Sequence, residues 1–433
     1  MNAFAIGITI MVLLFTGGAQ AATITVNASG GADYMMIQDA INAANESDSI
    51  IVAAGDYNEN VNVNKSVSLI GEGAGITVVN ANNSDSHVFN ITRNDVVVRG
   101  FTIKGAMGSN KAGIYFFRAN NTTIHYNSII SNNNGINLYN SSNNNITGNI
   151  IANVNAGIFL HQSQNNSLND NNVSNNYDGI YLYSSNNNNL TDNIIESNEH
   201  LGIQLYFSGN NTLRNNSINK NRNQGIQIYA SGYNNLTGNH INSSRNSGIY
   251  LYSTGNNNIY DNFFNNTNNF DIYNSDGNVW NMTAIQNTNI IGGHYMGGNF
   301  WANPSGTDFS QTCSDADMNG ICDSSYALNS GNIDHLPLMV ADGYINGTVT
   351  SNGSAVSGAY ISTTGANTTT TPDGMYSLIV PAGTYNITVT KQPTHNDSTV
   401  TGVIVNSSET TTLDIVLIQK STGRISGTIM NSY

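Results

Sequence analysis

Hydrophobic and polar positions alternate along the middle of the chain in short segments that recur with a constant phase. The motif Gly-Ile-x-(Leu/Ile/Phe)-aromatic returns every 22 or 23 residues, and its glycines are Gly113, Gly135, Gly157, Gly179, Gly202, Gly225 and Gly248. This alternation predicts a β-strand whose first and third residues after the glycine point inward. A degenerate last copy lies at Asp271, so the repeats are clearest over residues 113–273.

A second register of polar positions keeps the same spacing. Its asparagines are Asn127, Asn149, Asn171, Asn193, Asn216, Asn239 and Asn262, each between two apolar positions such as Ile146 and Ile151. Each copy therefore contains two or three short strands separated by Asn/Ser/Gly turns and no helix. A unit of this length without a helix predicts one rung of a right-handed parallel β-helix, in which the asparagines stack as a hydrogen-bonded ladder.

The pattern extends towards the N-terminus. Earlier rungs are predicted at Ile76–Val79, Val88–Ile91 and Val96–Ile103. Before them, Met36–Asn45 has apolar residues on one helical face, and this helix is expected to cap the open end of the solenoid. The β-helix is predicted over residues 22–301, with about eleven rungs at ~4.8 Å each between Ser49 and Trp301.

Composition supports this assignment and narrows the function. Of the 433 residues only 9% are charged, and the formal net charge is −14. A fold built on amide ladders needs few charges, because a buried column of carboxylates would repel itself. The acidic balance also excludes an electrostatic nucleic-acid binder, which needs a basic face for phosphate.

The N-terminus predicts export. The apolar run Ala3–Thr16 and the cleavage site Ala19-Gln20-Ala21 indicate a signal peptide over residues 1–21, with an uncleaved anchor as the alternative. No later segment is apolar and long enough to span a bilayer. The mature chain is therefore expected to be secreted, and its many N-x-S/T sequons permit glycosylation.

Three N-terminal segments carry a family resemblance. Asp33–Ile41, Asp48–Glu59 and Lys65–Gly71 resemble the start of pectin-lyase-like β-helix proteins, and the Asn-rich rungs resemble NosD-like repeats of the carbohydrate-binding/sugar-hydrolase (CASH) type. The combination resembles surface proteins of methanogenic archaea. The resemblance implies the fold, but that fold carries lyases, hydrolases, adhesins and metal-insertion factors.

Residues 302–340 are expected to form a C-terminal cap with an acidic loop. The loop resembles the short calcium loops of dockerins and thrombospondin type 3 repeats, and its candidate ligands are Asp315, Asp317, Asn319, the carbonyl of Ile321, and Asp323. The alternative is an Asp/Asn-rich turn without a metal. Cys313 and Cys322 are expected to form a disulfide, because no Cys/His cluster accompanies them.

The character of the sequence changes at Tyr344. Residues 344–418 are Thr-rich alternating strands that resemble the carboxypeptidase regulatory-like domain, a transthyretin/Ig-like β-sandwich. Arg424–Ile429 repeats the opening Tyr344–Val349, so residues 419–433 are interpreted as the start of a second, truncated sandwich repeat. The whole chain is thus predicted to be all-β apart from the N-terminal helical cap.

Two aromatic-rich columns are predicted to point outward from the repeat strand. They occupy the second and fourth places after each glycine, and their candidate contact residues are Tyr139, Tyr181, Tyr183, Tyr206, Tyr229, Tyr250 and Tyr252. An exposed aromatic strip of this length favours a face for glycans or other surface proteins. The alternative is a structural ladder of stacked rings that holds the rungs together.

Two further hypotheses concern chemistry. Asp170 and Asp192 occupy the same place in successive rungs, about 5 Å apart by strand spacing, which is close to a retaining glycosidase pair. Their column also holds glycine and asparagine, which favours a turn role. The eight histidines are scattered and form no copper-type cluster with Met or Cys.

The sequence therefore predicts a secreted structural or adhesive surface protein without enzymatic activity, whose Tyr/Asn-rich face contacts glycans or proteins. The alternative function is a lyase or hydrolase of extracellular polysaccharide. A third hypothesis, implied by the resemblance, is a NosD-like copper maturation factor. The one cofactor expected is structural calcium.

Overall fold

The computed structural model describes residues 21–317, 319–340, 342–406, 409–421 and Gly427. The signal peptide and the Arg424–Ile429 repeat lie outside the described residues, apart from Ala21 and Gly427. The chain coils into a β-helix, and its rungs contribute one strand to each of three parallel sheets. The predicted all-β fold, with a parallel β-helix of about eleven rungs followed by a β-sandwich, is confirmed.

The three sheets run the length of the solenoid. Sheet 1 contains Thr23–Val26, Ser49–Val52, Ser68–Gly71, Val97–Arg99, Thr123–His125, Asn145–Thr147, Ser167–Asn169, Asn189–Thr191, Thr212–Arg214, Asn235–Thr237 and Asn258–Tyr260. Sheet 2 contains Gly55–Asn58, Thr77–Asn80, Thr102–Lys104, Ser128–Ile130, Ile150–Ala152, Asn172–Ser174, Ile194–Glu196, Ser217–Asn219, His240–Asn242, Phe263–Asn265 and Phe300–Ala302. Sheet 3 contains Val61–Val63, Phe89–Ile91, Ala112–Phe117, Asn134–Tyr139, Ala156–His161, Asp178–Tyr183, Ile203–Tyr206, Gln224–Tyr229, Ser247–Tyr252 and Phe270–Tyr273.

Because the strands pair in parallel and in register, residues one sequence period apart stack in columns and share the same environment. In sheet 3, Ile158 pairs with Ile180 and Leu160 with Leu182, and all four side chains are buried, as predicted for the first and third places after glycine. The glycine itself is required by close approach. A methyl group on Gly157 would overlap Val173 Cγ1 and the carbonyl oxygen of the glycine in the next rung.

The predicted asparagine column forms a buried amide ladder, which we define as Asn127, Asn149, Asn171, Asn193, Asn216, Asn239, Asn262 and Asn299. Asn171 is typical. Its Nδ2 donates to Asn193 Oδ1 at 3.0 Å and to the Ile146 carbonyl at 2.8 Å. Its Oδ1 accepts from Asn149 N and Nδ2, both at 3.1 Å. The protein therefore uses the full hydrogen-bonding capacity of this buried amide.

Two further polar ladders were not predicted. One is a second buried asparagine column at Asn144, Asn166, Asn188, Asn211, Asn234, Asn257 and Asn278. The other is a serine column in which each Oγ accepts a backbone N–H from one rung earlier, from Ala119 in the first case and from a serine in the rest: Ser141, Ser163, Ser185, Ser208 and Ser231. Both columns keep the same period as the glycine motif, so both ladders could have been predicted from the sequence.

Each end of the solenoid is closed around a carboxylate. The predicted N-terminal helix is confirmed at Ile37–Ala43, and Glu59 accepts its first backbone N–H groups, from Ile37 at 2.8 Å and Gln38 at 2.9 Å. At the other end, buried Asp334 accepts from Asn299 N at 2.8 Å. Carboxylates are suitable acceptors here, because the N–H groups at these ends have no further rung or turn to bond.

The C-terminal cap includes a short helix that was not predicted. This helix, Phe309–Thr312, begins with a capping box formed by Asp308 and Gln311. Short antiparallel pairs complete this region: Ile285–Gln286 with Tyr295–Met296, and Tyr326–Asn329 with Asn332–Asp334. Cys313 and Cys322 form a disulfide in the structure.

The second domain is a β-sandwich with its own hydrophobic core. One sheet contains Asp342–Ser351, Ser354–Ala355, Met375–Pro381, Thr410–Thr412 and Ile415–Val416. The other contains Tyr360–Thr363, Ala366–Thr369, Gly383–Thr390 and Ser398–Val405. Alternate residues of facing strands, such as Ile345, Leu378 and Ile387, are buried between the two sheets, as in other sandwiches.

Candidate functional site

The two outward columns of sheet 3 form one continuous face. The fourth-place column, which we call the aromatic ladder, consists of Phe117, Tyr139, His161, Tyr183, Tyr206, Tyr229, Tyr252 and Tyr273. The second-place column consists of Tyr115, Asn137, Phe159, Tyr181, Gln204, Gln227 and Tyr250. All seven predicted contact tyrosines lie on this face and are half-buried.

The rings of the aromatic ladder lie against one another along the rod. Tyr183 and Tyr206 are stacked with centroids 5.6 Å apart and planes at 13°, Tyr206 and Tyr229 at 4.5 Å and 12°, and Tyr229 and Tyr252 at 5.0 Å and 5°. His161 interrupts the stack with a perpendicular contact to Tyr183, at 5.1 Å and 84°. These spacings are those of favourable aromatic pairs.

Stacking decides which part of each ring a partner can reach. Tyr206 and Tyr229 have a tyrosine on both faces, so their π faces are covered. A sugar therefore cannot stack on the faces of these two rings. Stacking therefore leaves only ring edges and hydroxyl groups for a partner, and a phenolic hydroxyl can both donate and accept.

The neighbouring column adds amides and further rings to the same face. Gln204 Nε2 donates to Gln227 Oε1 at 2.6 Å, and Phe159 stacks on Tyr181 at 4.9 Å and 23°. Burial raises the pKa of the Tyr181 hydroxyl to about 12, so this phenol stays neutral. From Tyr115 to Tyr252 neither column contains a carboxylate, a lysine or an arginine.

Phe207 is an exposed aromatic residue beside the ladder that the sequence pattern did not predict. It follows the ladder residue Tyr206, has φ 50° and is 49% exposed. Its ring is perpendicular to three ladder rings, with centroids 4.6 Å from Tyr206, 5.9 Å from Tyr229 and 6.5 Å from Tyr183. The sequence does contain a signal for Phe207, because the other rungs have polar or small residues at this place.

Asp170 and Asp192 lie in exposed turns rather than in a cleft. Both have left-handed backbone, with φ 53° and 56°, as do Asn215 and Gly238 in the same column. Their backbone N–H groups bond to Thr191 and Arg214 carbonyls at 3.2 and 3.0 Å. This is the conformation that Asp, Asn and Gly tolerate best, and it supports the turn interpretation.

Asp261, in the same column, has a different environment. It is buried, its Oδ1 accepts from Ile290 N at 2.8 Å, and burial raises its pKa to about 6. It lines a cavity of about 370 Å³ with His240, whose pKa burial lowers. Residues of the Ile285–Met296 hairpin form the other wall.

The acidic loop of the cap brings three predicted ligands together. Carboxylate oxygens of Asp315, Asp317 and Asp323 all lie within 4.8 Å of one another. Burial, with a further contribution from neighbouring Asp317, raises the pKa of Asp315. The three carboxylates converge, and Asn319 Oδ1 beside them accepts from Ile321 N at 2.8 Å. This oxygen set suits a hard cation such as calcium.

The donor set does not fit copper. Among the described residues, the acidic loop is the group of three or more His, Cys, Asp or Glu ligands that could share an ion, and it contains no histidine. Both cysteines form the disulfide. His87 uses Nδ1 to accept from Ala112 N and stacks on Tyr115, while His200 Nδ1 bonds Asp178 at 2.8 Å. Within the described part of the chain no helix has the length and hydropathy to cross a membrane.

Comparisons with solved structures return matches of low similarity. The A-module of mannuronan C-5 epimerase AlgE4 from Azotobacter vinelandii is 16% identical, covering 56% of this chain and 90% of that one, with a TM-score of 0.39. The Dettilon tailspike protein is 13% identical, covering 84% and 77%, with a TM-score of 0.46. An alginate lyase from Paenibacillus is 13% identical, covering 60% and 99%, with a TM-score of 0.35. At these values the likeness carries no argument about activity.

Sequence comparisons are more specific. A cell surface glycoprotein of Methanothermus fervidus is 32% identical over 131 residues, which are 30% of this chain and 21% of that protein, so the chain spans about a fifth of its relative. The carboxypeptidase regulatory-like domain model matches residues 344–418. The model described as periplasmic copper-binding protein (NosD) matches residues 22–205 and 89–306. These matches cover more than half of the chain, and the protein therefore belongs to the NosD family of parallel β-helix proteins.

Proposed function

We propose that the protein is a cell-surface structural or adhesive protein whose β-helix presents the sheet 3 face to glycans or to other surface proteins. The observation that carries the proposal is the uncharged face itself, seven rungs of rings and amides held in register from Tyr115 to Tyr252. The likeness to a methanogen cell surface glycoprotein supports the location. The β-sandwich would serve as a spacer between the rod and the surface.

The chemistry of the face favours an uncharged partner. Phenolic hydroxyls and amides both donate and accept, which matches the hydroxyl groups of neutral sugars. A polyanion would meet no cation on the two columns and would be repelled by a chain of net charge −14. Neutral glycans are therefore the preferred class, and a protein surface rich in hydroxyls is the alternative.

The test separates hydroxyl contacts from ring stacking. The variant Tyr183→Phe/Tyr206→Phe/Tyr229→Phe keeps the stacked rings but removes three hydroxyls from the face. On a polysaccharide array it should lose most of the binding shown by the native protein, with an unchanged thermal midpoint. The matched control Tyr126→Phe/Tyr177→Phe/Tyr260→Phe removes three hydroxyls from tyrosines outside the two columns and should bind as the native protein does.

Unchanged binding by the ladder variant would reject this face as the contact surface. The same incubations are assayed for new reducing ends and unsaturated products. Their appearance would favour the alternative function, a polysaccharide lyase or hydrolase, over a binding protein.

We further propose that the acidic loop holds a structural calcium ion through Asp315, Asp317 and Asp323. Bringing three carboxylates together is unfavourable without a cation, and binding to the folded state alone would stabilise the cap. Calcium should raise the thermal midpoint and magnesium should not. Asp317→Asn should abolish the calcium effect, whereas Asp308→Asn, also in the cap but outside the cluster, should retain it. No calcium effect on the native protein would reject the site.

A further inference from the structure

Phe207 departs from its column in a way that the fold does not require. Positions one residue after the aromatic ladder all adopt left-handed backbone, and elsewhere they carry polar or small residues: Arg118, Asn140, Gln162, Ser184, Ala230, Ser253 and Asn274. Left-handed backbone is unfavourable for a bulky side chain. Phe207 bears this conformation while leaving half of its surface in water.

The orientation of the ring follows from its neighbours. Phe207 makes angles of 85°, 76° and 88° with Tyr183, Tyr206 and Tyr229. Its edge cannot point at a face of Tyr206, because Tyr183 and Tyr229 cover both of those faces. The face of Phe207 therefore lies across the edges of the ladder rings, and its opposite face is turned to solvent.

The surroundings leave that outer face accessible. The equivalent positions one rung before and after are Ser184 and Ala230, whose side chains are too short to cover the ring. The phenols of Tyr183, Tyr206 and Tyr229 belong to the half-buried ladder along which the ring lies. The result is a flat apolar platform bordered by neutral hydroxyls, with no charged residue in the two adjoining columns between Tyr115 and Tyr252.

We propose that the outer face of Phe207 is a stacking platform for one hexopyranose unit of a neutral glycan, oriented by the neighbouring tyrosine hydroxyls. A pyranose has an apolar face of C–H groups and a rim of hydroxyls, which matches a ring bordered by phenols. The covered faces of Tyr206 and Tyr229 cannot supply this contact, so Phe207 is the stacking residue at these rungs. The inference rests on the proposed function and assigns its principal subsite.

The test is Phe207→Asn, measured by calorimetry with the full chain and two neutral probes, cellohexaose and maltohexaose, and with an alginate hexamer as the polyanion. Asparagine occupies the same column with φ 49° at Asn140 and 48° at Asn274, so the variant relieves backbone strain. Its thermal midpoint should stay within roughly 2 °C of the native value. Affinity for the better neutral probe should fall about tenfold or more, the size of a lost aromatic stacking contact.

Two further variants make the result specific. Phe207→Trp keeps a flat ring and should retain binding. Tyr126→Asn makes the same aromatic-to-amide change at a residue that is 66% exposed with φ 54°, in a turn outside the two columns, and should leave affinity unchanged.

Three outcomes would overturn the platform: native affinity in Phe207→Asn, a native protein that binds neither neutral probe, or tighter binding of the alginate hexamer. If Phe207→Asn binds normally while the triple Tyr→Phe variant does not, the platform fails and the proposed function stands. If both variants bind normally, the platform and the proposed function both fail.

Discussion

The amide ladder repeats asparagine and the aromatic ladder repeats aromatic rings at the same period, and they differ in what remains for a partner. Asn171 lies inside and gives all its hydrogen bonds to the rungs on either side and to the backbone. Tyr206 lies outside, has both ring faces covered, and keeps an edge and a hydroxyl at the surface. The inner column can contribute only to stability, whereas the outer one contributes to stability and has groups left for recognition.

The comparison predicts that the same chemical change, amide to carboxylate, costs much more stability at a buried position than at an exposed one. Asn171→Asp removes two donated hydrogen bonds and places a charge among buried amides, so the free energy of unfolding should fall by about 3–5 kcal/mol. Urea unfolding measures this change in free energy. Asn165→Asp, in an exposed turn of the same rung, should change it by less than about 0.5 kcal/mol. A loss at Asn171 no larger than at Asn165 would contradict the ladder.

The end of the amide ladder should respond to pH. Asp334 accepts from Asn299 N and Trp301 Nε1, and burial raises its pKa to about 6. A carboxyl whose folded pKa exceeds its unfolded value stabilises the fold fully below the unfolded pKa, near pH 4. That stability is lost as the pH rises through about 6, by roughly 2–3 kcal/mol.

Asp334→Asn should therefore reduce the fall in unfolding free energy between pH 4 and pH 7. Part of the slope should remain, because burial also raises the pKa of Asp261 to about 6. The double variant with Asp261→Asn should remove most of it. An unchanged slope in the double variant would show that these carboxyls do not control the pH dependence.

Much of the fold could be predicted because rung period and strand alternation are simple physical constraints. Ile158 and Leu160 are buried where the alternation places them, and Asn171 bonds its neighbours as a buried amide must. The period also contained the ladders of Ser185 and Asn188, which went unnoticed because Ser and Asn are common in turns.

Less of the candidate functional face could be predicted from the sequence. A column of tyrosines does not reveal whether the rings stack on one another or stand apart, because that depends on side-chain rotation within the rung spacing. Phe207 is informative only once its left-handed backbone and its perpendicular ring are known. The convergence of Asp315 and Asp323 could be predicted because their spacing follows a loop pattern.

The stabilising share of the aromatic ladder can be measured directly. Tyr206→Ser removes two stacked contacts and should lower the unfolding free energy by about 1–2 kcal/mol, less than Asn171→Asp. Tyr206→Phe keeps both contacts and should change it by less than about 0.5 kcal/mol. If the two variants were equally stable, stacking would contribute nothing and the ladder would be a recognition surface alone.

The smallest expected effect is also the sharpest contrast with Asn171→Asp. Gln204→Glu makes the same amide-to-carboxylate change on the outer face, where Gln204 donates one hydrogen bond to Gln227. Water can solvate the new charge there, so the unfolding free energy should fall by no more than about 1 kcal/mol. Neutral-glycan binding at this rung should weaken, because a carboxylate cannot donate. A loss as large as that of Asn171→Asp would mean that the outer column is as closed to solvent as the inner one, and that the face has no groups to spare for a partner.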